Sequence, residues 1–223
     1  MAFSDDLTVV SDSLQHLEVQ CDKLSRYSSW ARMEIKLSKC AATGKLYSYM
    51  KKKSHKANIN VDHILQNKLA TLKLSKKTIP FLPPHKSYKY LGIWININLD
   101  WTEQFKATVT ALKDKGDKLL ASNLPMNIKL DMLHKVVRPT ATYAFPLAVY
   151  TKQQIDILDT ALAHYGKRVL NLPNTFPTAA LLQPKEKGGA GILSYHLDYR
   201  QLNITQATRV LNDKGKLGLV SRR

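Results

Sequence analysis

A chain of 223 residues, 44% of them hydrophobic, can form one large or two small packed domains, which excludes a disordered tail. The chain has 34 lysines and arginines and 17 acids, and its formal net charge of +17 favours a polyanionic partner. The charge alone is also compatible with a ribosomal-type basic surface or an anionic membrane partner. Two cysteines form neither a disulfide framework nor a zinc set, so we expect no disulfide-linked partner. With no signal peptide and no apolar run near the roughly 20 residues that span a bilayer, we expect an intracellular protein of the nucleus or cytoplasm, without a membrane partner.

The amino-terminal region predicts two short strands and a helix. Ala2–Phe3 and Leu7–Val10 are apolar segments on either side of a polar Ser4-Asp5-Asp6 tip. After Asp12, apolar or small residues recur at spacings of three and four, which places them on one helical face that ends near Arg32. These residues are Leu14, Leu17, Cys21, Leu24, Ser28 and Ala31. Residues 33–37 then alternate apolar and polar side chains, as a half-buried strand does.

The middle of the chain is strongly basic. From Lys36 to Lys89, thirteen lysines oppose the single Asp62, and tyrosines are interleaved with them. Aromatic rings among cations can stack on bases, so we expect a nucleic-acid face that includes Lys51, Lys52, Lys53 and Lys89, although such charge runs are usually solvated surface. Strands are suggested at residues 46–50, 57–65 and 69–74. Three prolines between 80 and 84 then interrupt regular structure. The next strand is predicted at residues 90–97, where Gly92 permits a close backbone approach or a bulge.

The remainder of the chain is helical in character. Asp100 and Glu103 fit a capping pair for a helix that runs to about Ala121, and Pro125 fits the first turn of the next. Thr151 with Gln154 opens another helix, and a last one runs from about Ser194 to Leu211. We therefore predict an α+β fold with two domains, a mixed domain at 1–99 and an all-α domain at 100–223.

The adjacent carboxylates Asp5 and Asp6 are the sharpest chemical feature. Two neighbouring acids between apolar strands repel each other, and Mg²⁺ relieves this repulsion because it prefers carboxylate oxygens together with substrate phosphates. The two-metal scheme of polymerases needs such a supply of hard ligands. A helix cap or an ordinary acidic turn is the alternative, since Ser-Asp-Asp is also good capping chemistry.

Several ordered segments resemble the reverse transcriptases of non-LTR, LINE-like retrotransposons. Residues 3–7, Phe-Ser-Asp-Asp-Leu, are similar to the aromatic-x-Asp-Asp box, and Tyr27, Trp30 and residues 33–40 are similar to the next box, which ends in a lysine. Residues 88–93, Tyr-Lys-Tyr-Leu-Gly-Ile, resemble the primer grip, and Asp100-Trp101 resembles the start of the thumb. Residues 170–173, Pro177 and 188–191 look like the region downstream of the thumb, so the resemblance covers nearly the whole chain.

The resemblance implies an incomplete polymerase palm, with short antiparallel strands and a packed helix, followed by a thumb-like helical region. Asp5 would be the principal Mg²⁺ ligand and Asp6 a weaker one, and Lys39 would protonate or steady the leaving pyrophosphate, with a solvated lysine as the alternative. Tyr90, Leu91 and Gly92 would hold the primer end, with a plain buried strand as the alternative. Lys113, Lys115 and Lys118 on the thumb helix would touch the backbone of an RNA template or DNA primer, with a solvated helix face as the alternative. Deoxynucleoside triphosphates would be the substrates of the intact enzyme.

Departures from the family pattern limit this expectation. Reverse transcriptases use a third carboxylate from an upstream strand and fingers that close on the nucleotide, whereas Met1 lies only four residues before Asp5. We therefore expect little or no polymerase activity from this chain alone. A non-catalytic basic nucleic-acid-binding module is the alternative, and a helical protein-interaction domain is a third possibility.

Overall fold

The computed structural model describes residues 2–3, 6–45, 61–192, 194–215, 218 and 221. The chain divides into two compact units, Met1–Asp100 and Trp101–Arg223. Short antiparallel strand pairs lie in the first unit, and helices make up the regular structure described in the second, so the α+β fold predicted from the sequence is confirmed. None of the helices in the described part of the chain has the length and apolar character that a membrane-spanning segment needs.

The first unit contains three separate two-stranded antiparallel pairs among its described residues, β1 with β2, β3 with β4, and β5 with β6. Its elements in chain order are β1 (Ala2–Phe3), β2 (Asp6–Leu7), α1 (Leu14–Trp30), a 3₁₀ turn (Leu37–Lys39), α2 (Val61–Leu69), β3 (Lys73–Leu74), β4 (Lys77–Thr78), β5 (Tyr88–Tyr90) and β6 (Ile93–Ile95).

Helix α1 forms where the apolar spacing predicts it. The Ser13 side chain caps it by accepting a hydrogen bond from the His16 N–H at 3.3 Å, and Ala31 follows its last turn. Its apolar face packs on a small core that contains Leu72 and Leu74. The same core includes Cys21, Ala42 and Leu69 as buried members.

The β3–β4 hairpin and the turn before it are hydrogen-bonded to α1 at two places. The Ser75 N–H donates to Ser25 Oγ at 3.0 Å, and the Thr71 hydroxyl donates to Glu18 Oε1 at 3.0 Å. Both turn residues are left-handed, Ser75 with φ 51° and Lys76 with φ 65°. Such a turn matches the right-handed twist of the strands, but it normally takes asparagine, aspartate or glycine.

Three strand predictions in the first unit are wrong. Residues 33–37 form no strand, and Leu37–Lys39 is a 3₁₀ turn. Residues 61–65, part of the strand predicted at 57–65, lie in α2, where Leu65 and Leu69 are buried one helical turn apart. The single strand predicted at 90–97 is instead the β5–β6 hairpin, because its backbone reverses at Leu91 and Gly92. The strand predicted at 46–50 lies outside the described residues.

The second unit is built from helices joined by short turns. Its elements are α3 (Thr102–Ala121), α4 (Met126–Met132), a π turn (Leu133–Val137), α5 (Pro139–Thr142), α6 (Lys152–Val169), α7 (Thr178–Leu182), a 3₁₀ turn (Lys185–Lys187) and α8 (Tyr195–Asn212).

One helix start follows the predicted capping chemistry, and a second helix begins where the sequence places it. Thr151 and Gln154 form a complete capping box at α6, and the Ser194 side chain caps α8. Helix α3 begins one residue later than the predicted capping pair of Asp100 and Glu103 places it, because its N-cap is Trp101, which makes no side-chain cap hydrogen bond.

Helices α3 and α6 pack closely at Gly116. A Cβ at this position would lie 2.4 Å from Cζ of Tyr165, so the tyrosine ring occupies the space of the missing side chain. The Tyr165 hydroxyl donates to the Lys113 carbonyl at 3.1 Å and to Asp117 Oδ1 at 2.9 Å. Burial, with Asp117 as a second cause, raises the pKa of Tyr165 to about 12, which keeps the phenol a donor.

A polar network joins α8 to the segment before α5. Arg138 and Asp198 form an ion pair whose side chains are 18% and 16% exposed. The fully buried Tyr195 donates its hydroxyl to the Arg138 carbonyl at 3.1 Å, and its N–H donates to Asp159 Oδ1 at 2.6 Å. Tyr195 also packs edge-on against Phe145, at a centroid distance of 5.7 Å, near the centre of the second core.

Candidate functional site

The paired aspartates belong to the hairpin at the start of the chain. Strands β1 and β2 pair with Ala2 opposite Leu7 and Phe3 opposite Asp6, which agrees with the predicted short strands around a polar tip. Asp6 is therefore the first residue of β2. Asp5 and the side chain of Asp6 lie outside the described residues, so their catalytic and metal-binding roles remain predictions.

The carboxylates of Asp5 and Asp6 are ligands of the type that binds a magnesium ion, but two of them are too few for a two-metal centre. Carboxylate oxygens are hard ligands of the type that Mg²⁺ selects. A two-metal centre uses more ligands than two adjacent aspartates provide. In the described ranges, no group of three or more His, Cys, Asp or Glu side chains is placed to hold a metal ion.

The two cysteines do not add a reactive or metal-binding group. Cys21 and Cys40 are both free thiols, and Cys21 is buried in the core of the first unit. Burial raises the pKa of both thiols, so the thiolate form is disfavoured.

Residues 90–92 form one end of the β5–β6 hairpin. Tyr90 pairs with Ile93, and the two residues between them are left-handed, with φ 48° at Leu91 and φ 81° at Gly92. Glycine adopts this conformation at no steric cost, whereas leucine is strained in it. Strained residues are held by the surrounding structure and cluster at functional sites, so Leu91 is a residue of interest in this hairpin.

A direct contact joins two of the predicted segments. The Tyr88 hydroxyl on β5 donates a hydrogen bond to the backbone carbonyl of Lys39, forty-nine residues earlier in the chain. The hairpin of residues 88–95 is therefore adjacent to the 3₁₀ turn that ends at Lys39, whose side chain is exposed. Sequence reasoning missed the role of Tyr88, because nothing in the pattern showed which tyrosine would reach the turn.

The lysines predicted to bind nucleic acid have different surroundings. The Lys89 amine lies 6.0 Å from the ring centroid of Trp94, its partner across the β5–β6 hairpin. On α3, Lys118 pairs with Asp114 at 2.8 Å and Lys115 donates to Thr140 Oγ1 at 2.9 Å. Lys113 is exposed and has no ion pair among the described residues. Lys51, Lys52 and Lys53 lie outside the described residues.

A cavity of about 480 Å³ opens in the second unit where α3 and α6 end. Its lining combines apolar side chains with Lys129, Arg168 and Asn171. The Lys129 amine is already engaged with the Leu120 carbonyl at 3.1 Å. None of the residues predicted to have a catalytic or binding role lines this cavity. The cavity is therefore not part of the predicted catalytic site.

Comparison with known proteins relates the chain to a protein of a retrotransposable element. The chain is similar to the Retrovirus-related Pol polyprotein from type-2 retrotransposable element R2DM of Drosophila melanogaster, with 24% identity over 196 residues. The aligned part is 86% of this chain and 17% of that polyprotein. No protein-family model and no solved structure matches the chain.

Proposed function

We propose that this chain is part of an RNA-directed DNA polymerase of a non-LTR retrotransposon. The similarity to a retrotransposon Pol polyprotein over 86% of the chain carries the proposal. The hairpin that pairs Phe3 with Asp6 supports it, since a strand pair presents acidic residues at a rigid edge. The contact between Tyr88 and Lys39 supports it further, because it joins two segments to which the resemblance assigns a role.

In this proposal the Asp5 and Asp6 carboxylates would hold Mg²⁺ in the intact enzyme. Such an ion would supply electrostatic stabilisation of the charge that develops on the transferred phosphoryl group. Lys39 steadies the leaving pyrophosphate through its ammonium group, and the backbone of residues 90–92 positions the primer. Because two carboxylates are an incomplete ligand set, we expect primer extension to need a further carboxylate and the nucleotide-closing fingers from elsewhere in the intact enzyme.

The partners in this proposal are an RNA template and a DNA primer, and the substrates are deoxynucleoside triphosphates. Lys89 and Lys113 are the best placed of the described candidates for phosphate contacts, since they are exposed and have no ion pair among the described residues. Lys115 and Lys118 would first have to leave Thr140 and Asp114. We expect their contribution to binding to be smaller.

Primer extension on an RNA template with Mg²⁺ tests the proposal. The assay uses the chain alone and the chain joined to an upstream palm and fingers, and we expect extension only from the joined form. Asp5→Asn should abolish extension, whereas Asp22→Asn, a matched change of an exposed acid on α1, should leave it intact. Full extension by the joined Asp5→Asn variant would contradict the catalytic assignment.

A non-catalytic nucleic-acid-binding module is the second candidate, favoured by the net charge of +17. It predicts binding to RNA or DNA that weakens steeply with salt and is unchanged by Asp5→Asn. The joined protein would then bind nucleic acid without extending a primer.

A further inference from the structure

Helix α1 carries two aromatic rings on its solvent side that belong to neither hydrophobic core of the described residues. Trp30 is 80% exposed and Tyr27 is 55% exposed. Their ring centroids are 5.8 Å apart and their planes are tilted by 41°, so they form one aromatic surface. The buried residues of α1 are Cys21 and Ser28, on another face of the helix. A pair of large exposed rings side by side is a mark of a binding surface rather than of scattered apolar residues.

Two cations lie beside these rings on the same face. Residues three and four apart are neighbours on a helix, so Lys23 adjoins Tyr27 and Arg26 adjoins Trp30. Both cations are exposed, and neither has an ion pair among the described residues, although Asp22 is exposed next to them. We call Lys23, Arg26, Tyr27 and Trp30 the aromatic–cationic face.

We propose that the aromatic–cationic face is a binding site for single-stranded nucleic acid. Unpaired bases stack on Trp30 and Tyr27, and Lys23 and Arg26 neutralise the adjoining phosphates. Stacking on aromatic rings between cations is how proteins hold single strands without reading sequence. The exposed cations Lys23 and Arg26, in a chain of net charge +17, make a polyanion the complementary occupant of this face. A duplex does not fit equally well, because its bases are stacked on each other and offer no free ring face.

The helix is well suited to present these groups in a fixed arrangement. It spans 17 residues, is capped by Ser13 and is held to the β3–β4 hairpin through Ser25. The site involves neither the paired aspartates nor residues 90–92. It therefore does not depend on the polymerase proposal, and it applies equally if the chain has no catalytic role.

Fluorescence anisotropy with a labelled single-stranded RNA of mixed sequence tests the site on the 223-residue chain. We expect Trp30→Ala to weaken binding roughly 5- to 150-fold, the range that loss of one base–ring stack gives. Trp30→Phe should restore most of the affinity. Lys23→Gln with Arg26→Gln should lower the slope of log affinity against log salt by about 1.4, since each phosphate contact on a single strand contributes roughly 0.7. A duplex of the same length should bind the wild type and Trp30→Ala within twofold of each other.

Tyr143→Ala provides the matched control, because Tyr143 is an aromatic residue of the second unit that is 61% exposed. It should bind as the wild type does. The RNA should quench the tryptophan fluorescence of the wild type, and most of this quenching should be absent in Trp30→Phe. This measurement decides the question even if Trp30→Ala fails to fold. Binding by Trp30→Ala within twofold of the wild type would overturn the proposal. So would an equal loss of duplex affinity, or capture of a protein by this face with no effect of the variants on RNA binding.

Discussion

The N–H of Ser75 donates a hydrogen bond to the hydroxyl oxygen of Ser25 at 3.0 Å, across fifty residues of sequence. Ser25 in turn donates its proton to the Cys21 carbonyl of its own helix at 2.9 Å. The turn of the β3–β4 hairpin is thus fixed to α1 by one side chain. This restraint holds Ser75 and Lys76 in left-handed conformations that neither residue favours.

Changes in this turn should alter stability in opposite directions. Ser25→Ala removes the acceptor of the Ser75 N–H and should lower the free energy of unfolding by about 1 kcal/mol. Lys76→Gly should raise it by about 0.5–1 kcal/mol, because glycine adopts a positive φ without steric cost. Urea denaturation measures both effects, and Ser29→Ala, a change of an exposed serine on the same helix, serves as the control. Equal stability of all three variants would show that the turn is not restrained as described.

Gly116→Ala should destabilise the second unit. The added Cβ would lie 2.4 Å from the Tyr165 ring, so α3 and α6 must separate or the ring must move. We expect a loss of about 1–3 kcal/mol from overpacking, even though alanine is the better helix former by about 1 kcal/mol. Thermal denaturation measures the change. The double variant Gly116→Ala with Tyr165→Leu should recover part of the loss, and no recovery would place the clash elsewhere.

Removal of one partner of the ion pair between Arg138 and Asp198 should destabilise the protein more than replacement of both partners by apolar residues. Asp198→Ala leaves a guanidinium without its partner in a largely buried setting and should cost about 3–5 kcal/mol. Arg138 Nε already has no hydrogen-bond partner among the described residues, and burial raises the pKa of Asp198 against the lowering effect of Arg138. The pair is therefore incompletely compensated. Arg138→Met with Asp198→Leu should cost less than Asp198→Ala alone, and chemical denaturation of the two variants decides this.

His134 should make the second unit sensitive to mild acid. Burial, and then the charges of Arg138 and Lys185, lower the pKa of His134 below its ordinary value of 6.5. The unfolded chain therefore binds the proton at a higher pH than the folded chain does, and stability should fall as the pH falls below 6.5. In His134→Gln this part of the loss should be absent. Melting temperatures across this range measure it, with His16→Gln, a change of an exposed histidine, expected to behave as the wild type.

Local signals predicted the long helices and the first strand pair, and they failed for residues 33–37, 57–65 and 90–97. The spacing from Leu14 onward and the Thr151–Gln154 capping box are contained within one segment of sequence, so α1 and the start of α6 are correctly predicted. Residues 33–37 alternate as a strand does, but no neighbouring strand pairs with them in the described part of the chain. Pairing depends on residues far away in sequence, and periodicity does not contain that information.

The same distinction applies to the candidate site. The sequence singles out Lys39 and residues 90–92 as separate segments by resemblance. It does not show that Tyr88 reaches the Lys39 carbonyl, since a hydrogen bond to a backbone atom leaves no mark on the residue that accepts it. The exposure of Trp30 is equally hidden, because tryptophan in an amphipathic helix more often belongs to a core.

The bond between the Tyr88 hydroxyl and the backbone of residue 39 has a consequence for how this chain can evolve. A carbonyl is present whatever amino acid occupies position 39, so replacement of the lysine leaves the attachment of the β5–β6 hairpin intact. The attachment of the hairpin therefore does not depend on the side chain at position 39. Among copies that are selected only for folding, the positive charge at position 39 can be lost, whereas the Tyr88 hydroxyl that makes this hydrogen bond is retained.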